Sequence, residues 1–327
     1  MTARVVLDAM GGDHAPRETV LGAVDAARRG VEVMLAGDEE RIRPILDEAG
    51  ADLAVVHAPE HVEMGEDPAA AIRAKKGASV TVAARLVADG TVQGMVSAGS
   101  TGAAMAAAAI VIGRIEGVSR PAIATIFPMA HPVVVLDAGA NLDVKPRHLA
   151  EFGVMGSVLA TVHLGIERPR VGLLNIGEEP GKGRELEREA HRMMSQLPIH
   201  FVGNVEGRAL GTGTVDVIVT DGYTGNVMLK SAEGTARAIG AMVLEALTGD
   251  DDPGFQKAVA EVLPRLLAQR DRLDPDTHGG AHLLGVRGTV VIAHGSSSRT
   301  AIGNALAMAA EGVSRGLPAL IEEGLRG

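Results

Sequence analysis

Short runs of β-branched and aliphatic residues alternate with longer segments of helical spacing, and the runs end in polar loops that carry glycine. Arg4-Val-Val-Leu7 leads into Asp8-Ala-Met-Gly-Gly-Asp-His-Ala-Pro16, and Val92 to Val96 into Ser97-Ala-Gly-Ser-Thr-Gly102. Val133-Val-Val-Leu136 leads into Asp137-Ala-Gly-Ala-Asn141, and Val171-Gly-Leu-Leu174 into Asn175-Ile-Gly-Glu-Glu-Pro-Gly-Lys-Gly183. Val215-Asp-Val-Ile-Val219 precedes Thr220-Asp-Gly-Tyr-Thr-Gly-Asn226, and Thr289-Val-Val-Ile292 precedes Ala293-His-Gly-Ser-Ser-Ser298. Strands alternating with helices predict βαβ units and a mostly parallel sheet. Their unbroken aliphatic character fits strands covered on both faces. Ligands of such sheets bind beyond the carboxyl ends of the strands, so the six loops are expected to meet at one mouth.

One segment departs from this rhythm. Between about Thr248 and Thr277, residues Phe255, Val259, Val262, Leu263, Leu266 and Leu267 recur at helical spacing, with charged residues on the flanks. That stripe fits a core or dimer helix, or a surface helix that meets a membrane or a partner.

The chain has 327 residues, which allows two lobes or one large α/β unit at roughly 150 residues per domain. Lys and Arg number 31 against 41 Asp and Glu, and aromatics are 2%, which argues against nucleic acid as a partner. Cysteine is absent, so disulfides, thiolate metal sites and a cysteine nucleophile are excluded. No secretory signal is evident at the N-terminus, and the longest apolar run, Ala103 to Ile112, is about half a membrane span. A cytoplasmic protein is expected.

The chemistry is expected in the loops. Ser97-Ala-Gly-Ser-Thr-Gly102 offers hydroxyls and backbone N–H groups at a helix start, an anion cradle without the lysine of a Walker A loop. His294-Gly-Ser-Ser-Ser298, with Arg299 beside it, is a second hydroxyl-rich junction, and together the two could hold a tetrahedral oxyanion such as phosphate. Lys182 sits in a glycine-flanked loop, where it could neutralise phosphate, stabilise an oxyanion or act as a nucleophile. Asp8, Asp13, His14, Asp137, Asn141, Asp221 and Asn226 fall at strand ends, where helix capping is the commonest duty of Asp and Asn. No metal-binding motif, hydrolase elbow or dinucleotide fingerprint is present, and no cofactor is expected.

In order along the chain, Asp8-Ala-Met-Gly-Gly-Asp-His-Ala-Pro16, Ser97-Ala-Gly-Ser-Thr-Gly-Ala103, Leu136-Asp-Ala-Gly-Ala-Asn141, Asn175-Ile-Gly-Glu-Glu179 with Lys182-Gly183, Gly203-Asn-Val-Glu-Gly207, Asp221-Gly-Tyr-Thr-Gly-Asn226 with Leu229-Lys230, and His294-Gly-Ser296 resemble the PlsX family of phosphate acyltransferases. The resemblance covers essentially the whole chain. It implies transfer of a long-chain acyl group from acyl carrier protein to inorganic phosphate. The acyl phosphate product then goes to a membrane glycerol-3-phosphate acyltransferase.

The fold implied is an α/β/α sandwich with a mostly parallel mixed sheet, similar to isocitrate and isopropylmalate dehydrogenases and to phosphotransacetylase. Residues 1–327 would form one catalytic domain and work as a homodimer. A protruding amphipathic tip at 248–277 would touch the membrane or a partner through Phe255, Val259, Leu263, Leu266 and Leu267.

With that reading, Lys182, Asp8, His14 and Asp221 are the catalytic candidates, Lys182 as oxyanion stabiliser or covalent acyl carrier. Ser97, Gly99, Ser100, Thr101, Gly102, His294 and Ser296 are the phosphate-binding candidates. Gly11, Gly12, Asp13, Asp137, Asn141, Asn175, Asn204, Glu206 and Asn226 are expected to line the substrate crevice. An acidic carrier protein needs a basic docking face, with Arg265, Arg270, Arg272, Lys75 and Lys76 as candidates. The alternatives are a phosphotransacetylase using acyl-coenzyme A, a nicotinamide-dependent dehydrogenase of the same fold, and a non-catalytic scaffold.

Overall fold

Alternate residues of the central strands feed different cores, which is why their aliphatic runs are unbroken. On Arg4–Asp8 (β1), Val5 and Leu7 pack into one apolar cluster while Val6 packs into another. Thr289–Ile292 (β11) divides in the same way, with Val291 on the first side and Val290 and Ile292 on the second. On Val133–Leu136 (β6), Val134 and Leu136 join the Phe152–Met155–Leu159 cluster, whereas Val133 and Val135 face the other side. The computed structural model describes residues 3–63, 65–249, 252–272 and 279–326, with 269–272 described by backbone alone.

Eleven strands form one sheet in the order β3-β2-β1-β4-β11-β10-β5-β6-β9-β7-β8. The remaining strands are Glu32–Gly37 (β2), Ala54–His57 (β3), Gly94–Ser97 (β4), Ala122–Phe127 (β5), Arg170–Leu174 (β7), His200–Val205 (β8), Val217–Val219 (β9) and Ala281–Leu284 (β10). Helices cover both faces. Arg17–Arg28 (α1) and the helix Arg299–Ser314 pack on one side of the first half, and the helices Ser79–Ala88 and Thr101–Ala107 on the other. The expected α/β/α sandwich with a mostly parallel mixed sheet is therefore the observed fold.

Three strand pairs are antiparallel: β10 with β11, β10 with β5, and β5 with β6. All other pairs are parallel. An odd number of reversals leaves β1, β4 and β11 running opposite to β6, β7 and β9. Their carboxyl ends therefore lie at opposite edges of the sheet, and the six loops do not all open on one side.

Gly222–Thr248 is a long helix (α8), followed by Pro253–Arg272 (α9), which packs against it. Within the expected stripe, Val259 is buried, and Phe255, Leu263 and Leu267 are half-buried at four-residue spacing. Val262 and Leu266 instead face outward, as do Ile239, Met242 and Val243 of α8. Residues 250, 251 and 273–277 of the expected tip, and the side chains of Arg270 and Arg272, lie outside the described residues. Among the described residues, no helix is long and apolar enough to cross a membrane.

The ring of His282, on β10, meets that of His163 at a tilt of 39° with centroids 4.7 Å apart. His163 Nδ1 meets Glu311 Oε2 at 3.1 Å, while neither ring nitrogen of the fully buried His282 has a partner. Burial pushes the His282 imidazole well below its usual range and lowers His163 as well. A histidine held neutral in the fold but free to protonate when unfolded makes stability fall as pH drops below about 6.5. His282→Leu is expected to flatten that acid-side slope by about 1 kcal/mol per pH unit below pH 6. Urea unfolding at pH 7.5, 6.5 and 5.5 measures the slope, and parallel curves for variant and parent would refute the assignment.

Candidate active site

Three neighbouring strands, β1, β4 and β11, raise a crown of loops at one edge of the sheet. Asp8 and Ser97 end β1 and β4 in register with each other, and both are buried. Ser97 Oγ donates to Asp8 Oδ2 at 2.7 Å and accepts from the Gly99 amide at 3.1 Å. Asp8 thus fixes a hydroxyl that fixes the loop. Burial pushes the Asp8 carboxyl above its usual range against the lowering pull of its hydroxyl and amide donors.

Gly11 presses onto the same loop, where a Cβ would lie 2.7 Å from both Asp8 Oδ2 and Gly99 N. The Asp13 amide donates to the Gly295 carbonyl at 2.8 Å, tying the β1 loop to the β11 loop. Ser100 caps the helix that starts at Thr101, its hydroxyl accepting from the Ala103 amide, and Gly102 packs on the Pro68 ring.

Beside this crown lies a cavity of about 590 Å³, within the range of small-molecule sites. Asp13, Thr101, His294, Ser296 and Ser297 line it with polar side chains from the crown, and Gly99 with backbone. Ile123, Ile126 and Phe127 of β5, with Leu229 and Ile292, supply its apolar lining. It sits where the strand direction reverses, between the half of the sheet that holds β1, β4 and β11 and the half that holds β6, β9 and β7. Ala138, Gly139 and Asn226 reach it from the oppositely directed half. Gly11 and Gly12 line a smaller pocket of about 250 Å³ that shares Asp13 and Gly99 with the first. His14 is exposed and lines neither pocket, and Arg299 is spent on an ion pair with Asp25.

Asp137 and Asn141 are buried under the cavity wall rather than open to it. The Asp137 carboxylate accepts from the amides of Ile123, Gly139, Ala140 and Asn141 and from Asn141 Nδ2, at 2.7–3.1 Å. Both its oxygens are engaged by the chain's own donors, although burial holds the carboxyl above its usual range.

At the far edge of the sheet, Asp221 caps α8, accepting from the amide and hydroxyl of Thr224 at 2.8 Å and from Arg184 at 3.3 Å. Asn175 donates to the Lys182 carbonyl at 3.1 Å, and Asn204 to the Glu179 carbonyl at 2.8 Å. Glu206 pairs with Arg208 at 2.9 Å. Lys182 is exposed and has no ion pair among the described residues. None of these lines the large cavity.

Two charged residues that do line it were not among the site candidates: Lys230, which the sequence offered only within the Leu229-Lys230 motif, and Glu233. Asn226, Leu229, Lys230 and Glu233 follow the i, i+3, i+4, i+7 rule and form one face of α8. That periodicity was the available signal, but it does not say which face meets a cavity. Among the described residues there is no cluster of three or more histidine, aspartate or glutamate side chains able to hold a metal ion.

The architecture is shared with solved structures of low sequence identity. A phosphotransacetylase from Streptococcus pyogenes superposes with a TM-score of 0.65 over 96% of this chain and 94% of its own, at 18% identity. A 4-hydroxythreonine-4-phosphate dehydrogenase from Klebsiella pneumoniae gives 0.56 over 94% and 98%, at 15% identity. These likenesses define the fold class. In sequence, residues 3–320 match the fatty acid synthesis protein family. A phosphate acyltransferase from Desulforamulus reducens is 50% identical over 326 residues, covering 98% of this chain and 97% of its own. The chain belongs to the fatty acid synthesis protein family, whose members include such phosphate acyltransferases.

Proposed function

We propose that this enzyme transfers a fatty acyl group from acyl carrier protein to inorganic phosphate. The observation that carries the reading is a single cavity whose lining combines two characters, hydroxyls beside a helix start and aliphatic side chains. Phosphate belongs beside Thr101 and His294–Ser297, where helix amides and hydroxyls suit an oxyanion. The acyl chain belongs against Ile123, Ile126, Phe127 and Leu229.

A phosphate oxygen attacks the thioester carbonyl and forms a C–O bond. The tetrahedral oxyanion collapses, the C–S bond breaks, and the sulfur leaves with the electron pair. The proton of hydrogen phosphate ends on the thiol, so acyl phosphate and free carrier protein balance the reaction. A thiolate needs little help in leaving, so the step requires no strong acid. Lys182 is the proposed oxyanion stabiliser. Its loop precedes Arg184, which bonds Asp221 at the start of α8.

The exposed apolar residues of α8 and α9, Ile239, Met242, Val243, Val262 and Leu266, support two further roles in this reading. They suit contact with a second copy of the chain and peripheral attachment of a cytoplasmic enzyme to the membrane, where a glycerol-3-phosphate acyltransferase would receive the product. Arg265 and Lys76 are exposed and remain the candidates for carrier docking, while Lys75 is bonded to Glu66.

The test is formation of a hydroxylamine-trappable acyl phosphate from the carrier thioester. Product is expected only with phosphate present, and at a higher kcat/KM than with acyl-coenzyme A. Phosphate-independent thiol release would overturn direct attack by phosphate, and preference for acyl-coenzyme A would move the activity to the phosphotransacetylase class.

A further inference from the structure

Phosphate at neutral pH is largely a dianion, and the cavity that is to receive it already carries two carboxylates, Asp13 and Glu233. Like charges in a partly enclosed space repel strongly, so a cation must face the same space. Among the described residues lining the cavity, Lys230 is the one lysine or arginine. Lys182, the cation that stands out in the sequence, lies outside the lining.

Lys230 projects from the cavity-facing stripe of α8, one turn after Asn226, and its Nζ meets Glu233 Oε2 at 2.9 Å. That pair stands in the weaker order for a helix, with the lysine on the N-terminal side, and the lysine is half-exposed. It therefore holds Lys230 loosely. A dianion offers the ammonium more charge than a single carboxylate, while the four-carbon stem lets it swing without moving the helix.

We propose that Lys230 is a catalytic residue that binds the attacking phosphate, parked on Glu233 until the anion enters. The assignment rests on the acyl-transfer reading and adds the group that carries the phosphate charge. Glu233 then acts as a competing anion that keeps the ammonium over the cavity when phosphate is absent.

The test uses the full-length protein with phosphate varied at saturating acyl carrier protein thioester. Lys230→Ala is expected to raise the KM for phosphate about tenfold or more, the loss of roughly 1.4 kcal/mol of binding. The KM for the thioester should change less than about twofold, and Lys230→Arg should recover most of the phosphate KM. Glu233→Gln is expected to lower that KM by releasing the lysine. An unchanged phosphate KM in Lys230→Ala, or a tenfold rise appearing in Lys182→Ala instead, would overturn the proposal. Thermal stabilisation by inorganic phosphate alone supplies a second readout, expected for the parent and lost in Lys230→Ala. If the parent binds phosphate through Lys230 but makes no acyl phosphate, the acyl-transfer reading fails and the binding site stands. If it makes acyl phosphate and Lys230→Ala binds phosphate normally, only the Lys230 assignment fails.

Discussion

Asp137→Ala is expected to lower the unfolding free energy by about 3–5 kcal/mol, the range for a buried charge network that loses its centre. The carboxylate is fully buried and accepts from four backbone amides and one side-chain amide. Each donor left without a partner costs on the order of 1–3 kcal/mol, and partial access of water from the cavity side keeps the total below the sum. Asp137→Asn separates this account from simple loss of volume. An amide replaces one acceptor oxygen with a donor, which then faces Asn141 or the Ile123, Gly139 and Ala140 amides. The isosteric variant is therefore expected to be nearly as unstable as the alanine variant. Urea denaturation of the three proteins decides it: Asp137→Asn within about 1 kcal/mol of the parent would mean that shape, not charge, matters here. Activity should fall with stability, because Ala138 and Gly139 form cavity wall on the loop that Asp137 organises.

That same residue marks a limit of what the amino-acid sequence discloses. An Asp at the end of an aliphatic run reads as a crevice residue, but the loop conformation decides whether it faces a ligand or its own amides. Gly139, with φ near 141°, gives the loop the turn that aims those amides inward. The six aliphatic runs are all strands, because burial on both faces leaves an unmistakable record. Strand direction leaves no such record. Ala122–Phe127 and Ala281–Leu284 are not among the six runs that lead into polar loops, yet they make the reversals that send three loops to the opposite edge. The crown around Ser97 and His294 was legible because hydroxyls and glycines gather at helix starts. Leu229-Lys230 was legible as part of a motif, but its place on a cavity wall was not, since four residues at helical spacing read as an ordinary amphipathic surface. Helix α9 carries the same ambiguity: its aliphatic residues are too many for one face, so Phe255, Val259, Leu263 and Leu267 turn inward while Val262 and Leu266 stay out.

The crown also supports a prediction with a large effect on turnover. Gly11→Ala is expected to cut kcat/KM for phosphate by about 10²-fold, the penalty associated with a displacement near 1 Å at a reacting centre. An added Cβ would sit 2.7 Å from the Gly99 amide nitrogen and 2.7 Å from Asp8 Oδ2, where carbon contacts need roughly 3.5 Å or more. Neither neighbour is the loose end of a flexible chain. Gly99 is backbone, and the Asp8 carboxylate is held by Ser97. The two loops must part, which moves the Gly99 amide at the lip of the cavity and strains the Ser97 hydroxyl that positions it. The fold should survive, since crowding of this kind costs about 1–3 kcal/mol. Gly207→Ala serves as the control, because nothing lies within 4 Å of a Cβ there and its turnover should match the parent. Initial rates with varied phosphate, beside urea midpoints for both variants, make the comparison. If folded Gly11→Ala keeps phosphate kinetics within threefold of the parent, the anion does not sit against the Gly99 loop, and the seat must be sought nearer His294.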